Sequence, residues 1–427
     1  MAGLAAGSAF GECAVVLEQA DRPGGLVRTP RINGWWFDQV IHVLYFCDFN
    51  TECRIRALLG KTLAPCRPLA WVETSAGRTR YPIQAHLSGL EHQTVIRAIR
   101  DFAEVTFGPR HEEVANFEQA LLQAFGRGIC EAFMFPYNEK LWKRPLSSLA
   151  PSAFQWNVER PTFEQALAGA LDGENSFTAY NAAGWYPRPP RDAPVRGMEV
   201  LSRALADTVP DLRLEHKVTA VDVDSHTVFA VHRGQSVVIR YAKACSTLPL
   251  PSLLAICRHA PAWLREAARD LVWNRVWSAA LCIRGPRPET SGHWCYYTDP
   301  TLVFNRLVFM HAFDPALAPD DGWGLTAEIT ELAEDSPGTA EEILARVGAD
   351  VRRVGAVGPE CEIVGRRLML TDPAYVVFTP RTDGIVERAH EFLREHDIEP
   401  LGRYGRWEYS SMSQVMRDGF AWAERGG

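Results

Sequence analysis

The sequence predicts an α/β protein in which a parallel-sheet domain occupies both ends of the chain. A helical lobe and a second sheet interrupt it. Three observations point there. Strand and helix patterns alternate at both termini. Between Glu91 and Phe133 apolar residues recur at helical spacing, as in "VIRAIRDFAEVTF" and "FEQALLQAFGRGICEAF". Short β-rich runs then follow one another from Leu212 to Thr330. The chain has 427 residues, 47% of them hydrophobic, which is enough for two or three lobes.

Taken in order, Ala2 to Ala9 is small and apolar, as in a helix packed closely on a sheet, and Cys13 to Leu17 reads as a short buried strand ending at Glu18. These open the first part of the parallel-sheet domain, residues 1–60. Residues 61–194 read as a mostly helical insertion closed by the proline-rich loop "GWYPRPPRDAPVRG". Residues 195–260 return to the first domain: "MEVLSRALADTV" is a helix, and "LRLEHKVTAVDVDSHTVFAVHRGQSVVIRYAKACSTL" a series of strands. In 261–390, "WSAALCIRG", "WCYYTD", "TLVFNRLVFM" and "GLTAEIT" are the strands of the second sheet, and "TAEEILARVGADVRRVG" is a helix. "TDGIVERAHEFLREHD" is a further helix, running into the last part, 391–427, which ends in the helix "SQVMRDGFAWAERGG". "GAVGPE" reads as a turn, and no internal repeat is present.

Composition narrows the function classes. The formal net charge is −7 and no basic run occurs, which argues against nucleic acid but leaves room for an anionic small molecule in a local arginine pocket. The ten cysteines are scattered with no C-x-x-C pair. That predicts reduced thiols in a cytoplasmic protein and no metal centre. The N-terminus lacks a cationic segment, and no apolar run reaches the roughly 20 residues that span a bilayer, so neither a signal peptide nor an integral membrane segment is expected.

The opening, "MAGLAAGSAFGECAVVLEQADRPGGLVRT", matches the second half of a dinucleotide fingerprint. A complete one runs strand, G-x-G-x-x-G, helix, strand and acid; its glycines admit the pyrophosphate to the helix N-terminus, and its acid accepts from a ribose hydroxyl. Gly3 fits the third glycine and Glu18 the acid, while Met1 falls where the loop belongs. A sequence that begins late, as at a misassigned start codon, is the expectation; a natural loss of the phosphate loop is the alternative.

Further segments follow in a set order. "DRPGGLVRT" places Gly24, Gly25 and Arg28 just after the acid. "NGWWFDQVIHVLYF" supplies Phe37, Asp38 and His42, and "FMFPYNEKLWKRPLSSLAP" supplies Tyr137, Glu139, Lys140 and Trp142. "CSTLPLPSLL", "HWCYYTDPTLVFNRL", "AYVVF" and "GRYGRWEYSSMSQVMRDG" come later. This succession resembles the FAD-dependent flavoproteins of the amine oxidase, protoporphyrinogen oxidase and UDP-galactopyranose mutase superfamily, with its mutase-like branch the better match. The resemblance covers nearly the whole chain. It implies a Rossmann-like FAD-binding domain with an inserted helical lobe and a sheet-containing substrate domain.

The resemblance also implies roles. Glu18 would hold the FAD ribose, with Gly3, Gly24, Gly25 and Arg28 along the cofactor, Arg403 at its pyrophosphate, and Met412, Ser413 and Gln414 near the isoalloxazine. Trp142, Tyr296, Arg306 and Tyr375 would face the substrate. His42 and Arg306 would be catalytic. The implied substrate is a sugar nucleotide or similar polar small molecule, rearranged on reduced flavin. An oxidase or desaturase is the first alternative, and a flavin-free scaffold that kept the fold is the second. Read from the residues alone, His42 is alternatively a core histidine and the aromatics are equally core packing, while Arg306 in apolar "FNRLVFM" needs an anion, either a bound ligand or an internal acid such as Glu328. Ser413 replaces the family's usual aspartate, and Val40 and Ile41 stand where small residues are common. The oligomeric state is not legible.

Overall fold

The strand Val272–Arg284 shows how the second sheet is built. Its residues Ala279, Leu281 and Ile283 are fully buried in one apolar cluster, beside Val347 and Val351 of the helix Ala340–Arg353. The alternate residues Ala280 and Cys282 are buried on the other face, with Trp35, Phe37 and Leu44. Successive strand residues point to opposite faces, so a strand covered on both sides must be apolar at nearly every position.

The computed structural model describes residues 1–109, 113–155, 159–171, 177, 183–288, 292–335 and 338–426. Among these, the seven-stranded sheet runs in the order Glu362–Val377, Val272–Arg284, Gly322–Leu332, Arg306–Phe309, Trp294–Tyr297, Ala70–Thr74 and Gly77–Arg80. All neighbours are antiparallel except Trp294–Tyr297 with Ala70–Thr74. The register sets Tyr296 opposite Arg306, and Arg306 opposite Glu328. A four-stranded sheet, Gln235–Arg240, Thr227–His232, His216–Asp222 and Cys257–Arg258, lies in the region 195–260.

The parallel-sheet domain is held by two separate pairs. Val16–Leu17 pairs with Leu212–Arg213, and Ala244–Ser246 with Ile398–Pro400. These pairings bring segments 1–60, 195–260 and 391–427 together. The helix Ala2–Phe10 packs against the C-terminal helix Met412–Glu424 closely enough that a Cβ on Gly419 would lie 2.4 Å from the Ala2 carbonyl oxygen. The small residues of the opening stretch permit that approach.

Several expectations change. The region 61–194 is helical over His92–Phe107, Phe117–Ile129, Phe135–Trp142 and Phe163–Leu171, but it also contains strands. Ala70–Thr74 and Gly77–Arg80 complete the seven-stranded sheet, and Gly184–Pro187, in the expected loop, pairs with Leu63–Cys66. Ala70, Val72 and Thr79 are the buried members of the alternation in "AWVETSAGRTR". Expected strands shorten where partners end. Only Val16–Leu17 pairs in Cys13–Leu17, since Gly11–Cys13 forms a 3₁₀ turn. Only Arg306–Phe309 pairs in "TLVFNRLVFM", which then turns into the short helix Met310–Phe313. No helix among the described residues is long and apolar enough to cross a membrane.

Candidate functional site

The first group of predicted residues surrounds the end of the Val16–Leu17 strand. Glu18 accepts a hydrogen bond from the Ala20 amide at 2.9 Å and lies 3.8 Å from the Arg28 guanidinium. Arg28 in turn donates to the carbonyl oxygens of Arg22 and Pro23, closing the loop around Gly24 and Gly25. Both glycines have positive φ, 109° and 58°. A Cβ on Gly24 would lie 2.7 Å from Ser202 Oγ, whereas the space beside Gly25 is open to 4 Å. Gly24 is thus required by packing and Gly25 by backbone conformation.

A buried polar knot fixes the segment that follows. Asp38 accepts from Thr29 Oγ1 at 2.5 Å, the Tyr186 hydroxyl at 2.7 Å and the Met198 amide at 3.1 Å. Burial nonetheless pushes its carboxyl up to about 6, with those hydrogen bonds opposing. Glu199 accepts from the Thr29 amide and pairs with Arg203. His42 follows this segment, its Nδ1 buried. Burial drives the imidazole down to about 4, aided by the charges of Arg403 and Arg306, so it is neutral at pH 7.

Arg306, whose charge helps hold this histidine neutral, has its own partner. It meets Glu328 across the strand pair, with Nε and Nη2 both on Oε2 at 2.7 and 2.5 Å. Both side chains are largely buried, 14% and 5% exposed. The geometry is the ion pair that the residues alone offered as the alternative to an anion-binding arginine. Around it stand tyrosines. The Tyr296 ring is 5.1 Å from both Tyr81 and Tyr137, and Arg306 sits 5.8 Å from its centroid. Tyr375 is 6.2 Å from Trp142 and 6.3 Å from Tyr409. Arg403 lies over the Tyr409 ring at 4.7 Å and the Tyr375 ring at 5.7 Å, and its Nη2 donates to the Ala374 carbonyl at 3.4 Å. Trp142 is buried, its Nε1 donating to Asn138.

The structure therefore gathers His42, Trp142, Tyr296, Arg306, Tyr375 and Arg403 into one cluster. Glu18, Gly24, Gly25 and Arg28 form another. The remaining three predicted residues begin the C-terminal helix, where two side chains have structural partners. Gln414 completes a capping box with Ser411, and Ser413 Oγ accepts from the Cys47 amide at 3.1 Å. Met412 is buried in the core.

Gly3, the expected loop glycine, makes only ordinary contact: its Cβ would lie 3.6 Å from Thr247. The glycine required by close packing is Gly7, whose Cβ would come within 2.4 Å of Val16 Cγ2. The spacing G-x-x-x-G was visible in the sequence, but which glycine touches the strand depends on the helix's rotation. Tyr81 and Tyr409 were also missed as members of the aromatic cluster. No sequence signal joins positions that far apart.

No family model matches the chain. Solved structures do match, over the full fold. The structure of reduced UDP-galactopyranose mutase superposes with a TM-score of 0.89, covering 100% of this chain and 92% of that one at 20% identity. A protein from Exiguobacterium sp. assigned as a protoporphyrinogen oxidase gives a TM-score of 0.70, over 99% and 96% of the two chains at 15% identity. Putrescine oxidase bound to putrescine gives 0.65, over 99% and 96% at 16% identity. The chain thus has the α/β fold that these solved structures share, among them that of UDP-galactopyranose mutase.

Proposed function

We propose that this chain is a flavin-dependent enzyme that holds FAD between the Glu18 loop and the tyrosine cluster and acts on a small molecule beside that cluster. The observation carrying the reading is the packed cluster of Trp142, Tyr296, Arg306, Tyr375 and Arg403, within a fold matched over its whole length by the mutase structure.

The residues present fit the cofactor. Glu18 stands at the carboxyl end of a parallel strand, where its carboxylate can accept from ribose hydroxyls. Gly25 leaves open space beside the loop, and Arg28 and Arg403 supply planar donors suited to phosphate. The buried His42 Nδ1 has no hydrogen-bond partner among the described residues. When bound, the flavin supplies a hydride acceptor or, once reduced, a nucleophile. The chain's own residues do the rest. Neutral His42 can exchange a hydrogen bond without adding charge. Tyr296, Tyr375 and Trp142 exclude water and present aromatic faces. Met412, Ser413 and Gln414 hold the helix start against the Cys47 loop and keep that side of the site rigid.

For substrate, the mutase likeness supports a sugar nucleotide such as UDP-galactopyranose. A specific observation favours a second reading, an oxidase of less charged substrates: Arg306 is already neutralised by Glu328, which leaves that position poorly suited to a phosphate. The test is titration with FAD, followed by assay of the flavin-loaded protein. Turnover of UDP-galactopyranose only after chemical reduction supports the mutase reading. Oxygen consumption with an amine such as putrescine supports the oxidase reading. A protein that takes up no flavin, in this form or extended at its amino end, overturns both.

A further inference from the structure

The last turn of the helix Phe135–Trp142 is tied to the second sheet by two buried polar side chains. Lys140, 8% exposed, donates from Nζ to the carbonyl oxygens of Asp299 and Phe304, each at 2.7 Å. Asn274, fully buried in the strand Val272–Arg284, donates from Nδ2 to the carbonyl oxygens of Leu141 and Trp142, at 2.9 and 3.0 Å. Carbonyl oxygens only accept, so the amide nitrogen is the atom that faces them. The last carbonyls of a helix have no partner within it, and here a strand of the sheet supplies one. Lys143 then turns the chain out of the helix with a positive φ of 54°.

These two side chains reach the backbone of all four residues expected to face the substrate. The carbonyls held by Lys140 belong to the loop that joins Trp294–Tyr297 to Arg306–Phe309, so Tyr296 precedes the clamp and Arg306 follows it. The same loop is pinned by Asp350, which accepts from the Val303 amide at 2.8 Å, and by Asn305, whose Nδ2 donates to Thr330 Oγ1 at 3.0 Å. Asn274 stands opposite Tyr375 in the strand register and holds the Trp142 carbonyl. Burial pushes the Lys140 ammonium down to about 8, with Lys143 adding to the shift and Asp299 and Asp350 opposing it. A buried cation is costly, and apolar packing would avoid it. Apolar burial is non-directional, however, and leaves open how far the helix slides along the sheet. Directed hydrogen bonds from a satisfied polar network fix that position.

We infer that Lys140 and Asn274 are positioning residues that hold the substrate-facing wall in register. Lys140 sets Tyr296 and Arg306 relative to Trp142, and Asn274 sets Trp142 relative to Tyr375. Both act through backbone carbonyls, without contact to the small molecule. The inference rests on the proposed placement of that molecule beside the tyrosine cluster. It assigns a task to Lys140, which the motif "YNEKLW" carries and the proposed chemistry does not use.

The experiment has two readouts, and the first needs neither flavin nor substrate. Protein labelled with 3-fluorotyrosine is observed by fluorine NMR, with Tyr296, Tyr375 and Tyr186 each identified by its Phe variant. Lys140→Met keeps the side-chain stem and removes the donors; it should shift or broaden the Tyr296 signal and leave that of Tyr186 in place. Asn274→Leu should do the same to Tyr375. Where Lys140→Met does not fold, Lys140→Gln, one bond too short to hold both carbonyls, makes the same test. The core variant Leu205→Ala lies in a helix packed on Ala2–Phe10 and Phe49–Leu59, away from this seam, so it should lose stability and move neither signal. The second readout is titration of the flavin-loaded protein with UDP-galactopyranose. Lys140→Met should weaken binding roughly tenfold to a hundredfold at unchanged flavin affinity, the scale expected when a remote change displaces binding groups by about an ångström. Unmoved Tyr296 and Tyr375 signals overturn the inference, as do signals moved equally by Leu205→Ala. So does parental affinity for UDP-galactopyranose in a variant whose tyrosine signals have moved. A parent that binds no flavin or no UDP-galactopyranose defeats the flavin or substrate reading instead, and the fluorine signals still decide whether Lys140 and Asn274 hold the register.

Discussion

Removing the guanidinium of Arg306 should destabilise the protein strongly, and removing the whole ion pair should not. The pair spans neighbouring strands in the middle of the seven-stranded sheet, Arg306 opposite Glu328. Two donors of one guanidinium converge on a single carboxylate oxygen, and Glu328 is only 5% exposed. Arg306→Ala leaves that carboxylate buried and unpaired, a loss of about 3–5 kcal/mol. An exposed pair would cost no more than about 1 kcal/mol, so burial decides between the two magnitudes. The double variant Arg306→Met/Glu328→Leu removes both charges and refills the volume; it should lie within about 1–2 kcal/mol of the parent, because desolvation largely offsets the attraction of a buried pair. The assay is equilibrium denaturation of the parent, both single variants and the double variant, read by fluorescence and far-ultraviolet circular dichroism. If Arg306→Ala costs less than about 1 kcal/mol, the pair is behaving as a surface pair and the reasoning fails. If the double variant is as unstable as the single one, packing rather than charge is responsible.

Glu18→Ala, in a form that binds FAD, should weaken flavin affinity roughly tenfold to a hundredfold by titration, the effect of losing a hydrogen bond to a carboxylate of about 1.5–3 kcal/mol; unchanged affinity would refute the ribose role. Gly7→Ala should destabilise by about 1–3 kcal/mol despite alanine's better helix propensity, because the added methyl meets Val16 at 2.4 Å and Val209 at 3.1 Å; calorimetry showing a stabilised variant would contradict the packing. His42 has a folded-state pKa of about 4 against about 6.5 unfolded, so the fold binds fewer protons in that interval. Its contribution is full above pH 6.5 and is lost as pH falls toward 4. NMR titration of the imidazole checks this, and His42→Gln should flatten the stability profile over that window; an imidazole titrating near its ordinary value would refute it.

The sequence by itself determined the alternation of elements and most of their positions, because helix and strand periods are local. The helices Ala340–Arg353, Thr382–Glu395 and Met412–Glu424 stand where their patterns put them. The motif order from Glu18 through Arg403 was also legible, since each segment has its own residue signature, and it pointed to the fold that the solved structures share. Partnership is not local, and tertiary structure decided it. Ala70–Thr74 became part of the second sheet only because Trp294–Tyr297 offered a parallel edge, more than 200 residues later in the chain. The β pattern at Cys13 became a turn because its neighbour pairs for only two residues. The resemblance implies that Ser413 and Gln414 lie near a flavin; what their side chains bond to, the Cys47 loop and the helix cap, only the tertiary structure shows. Arg306 shows the division most clearly. Its apolar surroundings required a counter-charge, which the sequence revealed; that the counter-charge is Glu328 follows from the register of two strands, fixed only when the sheet assembles.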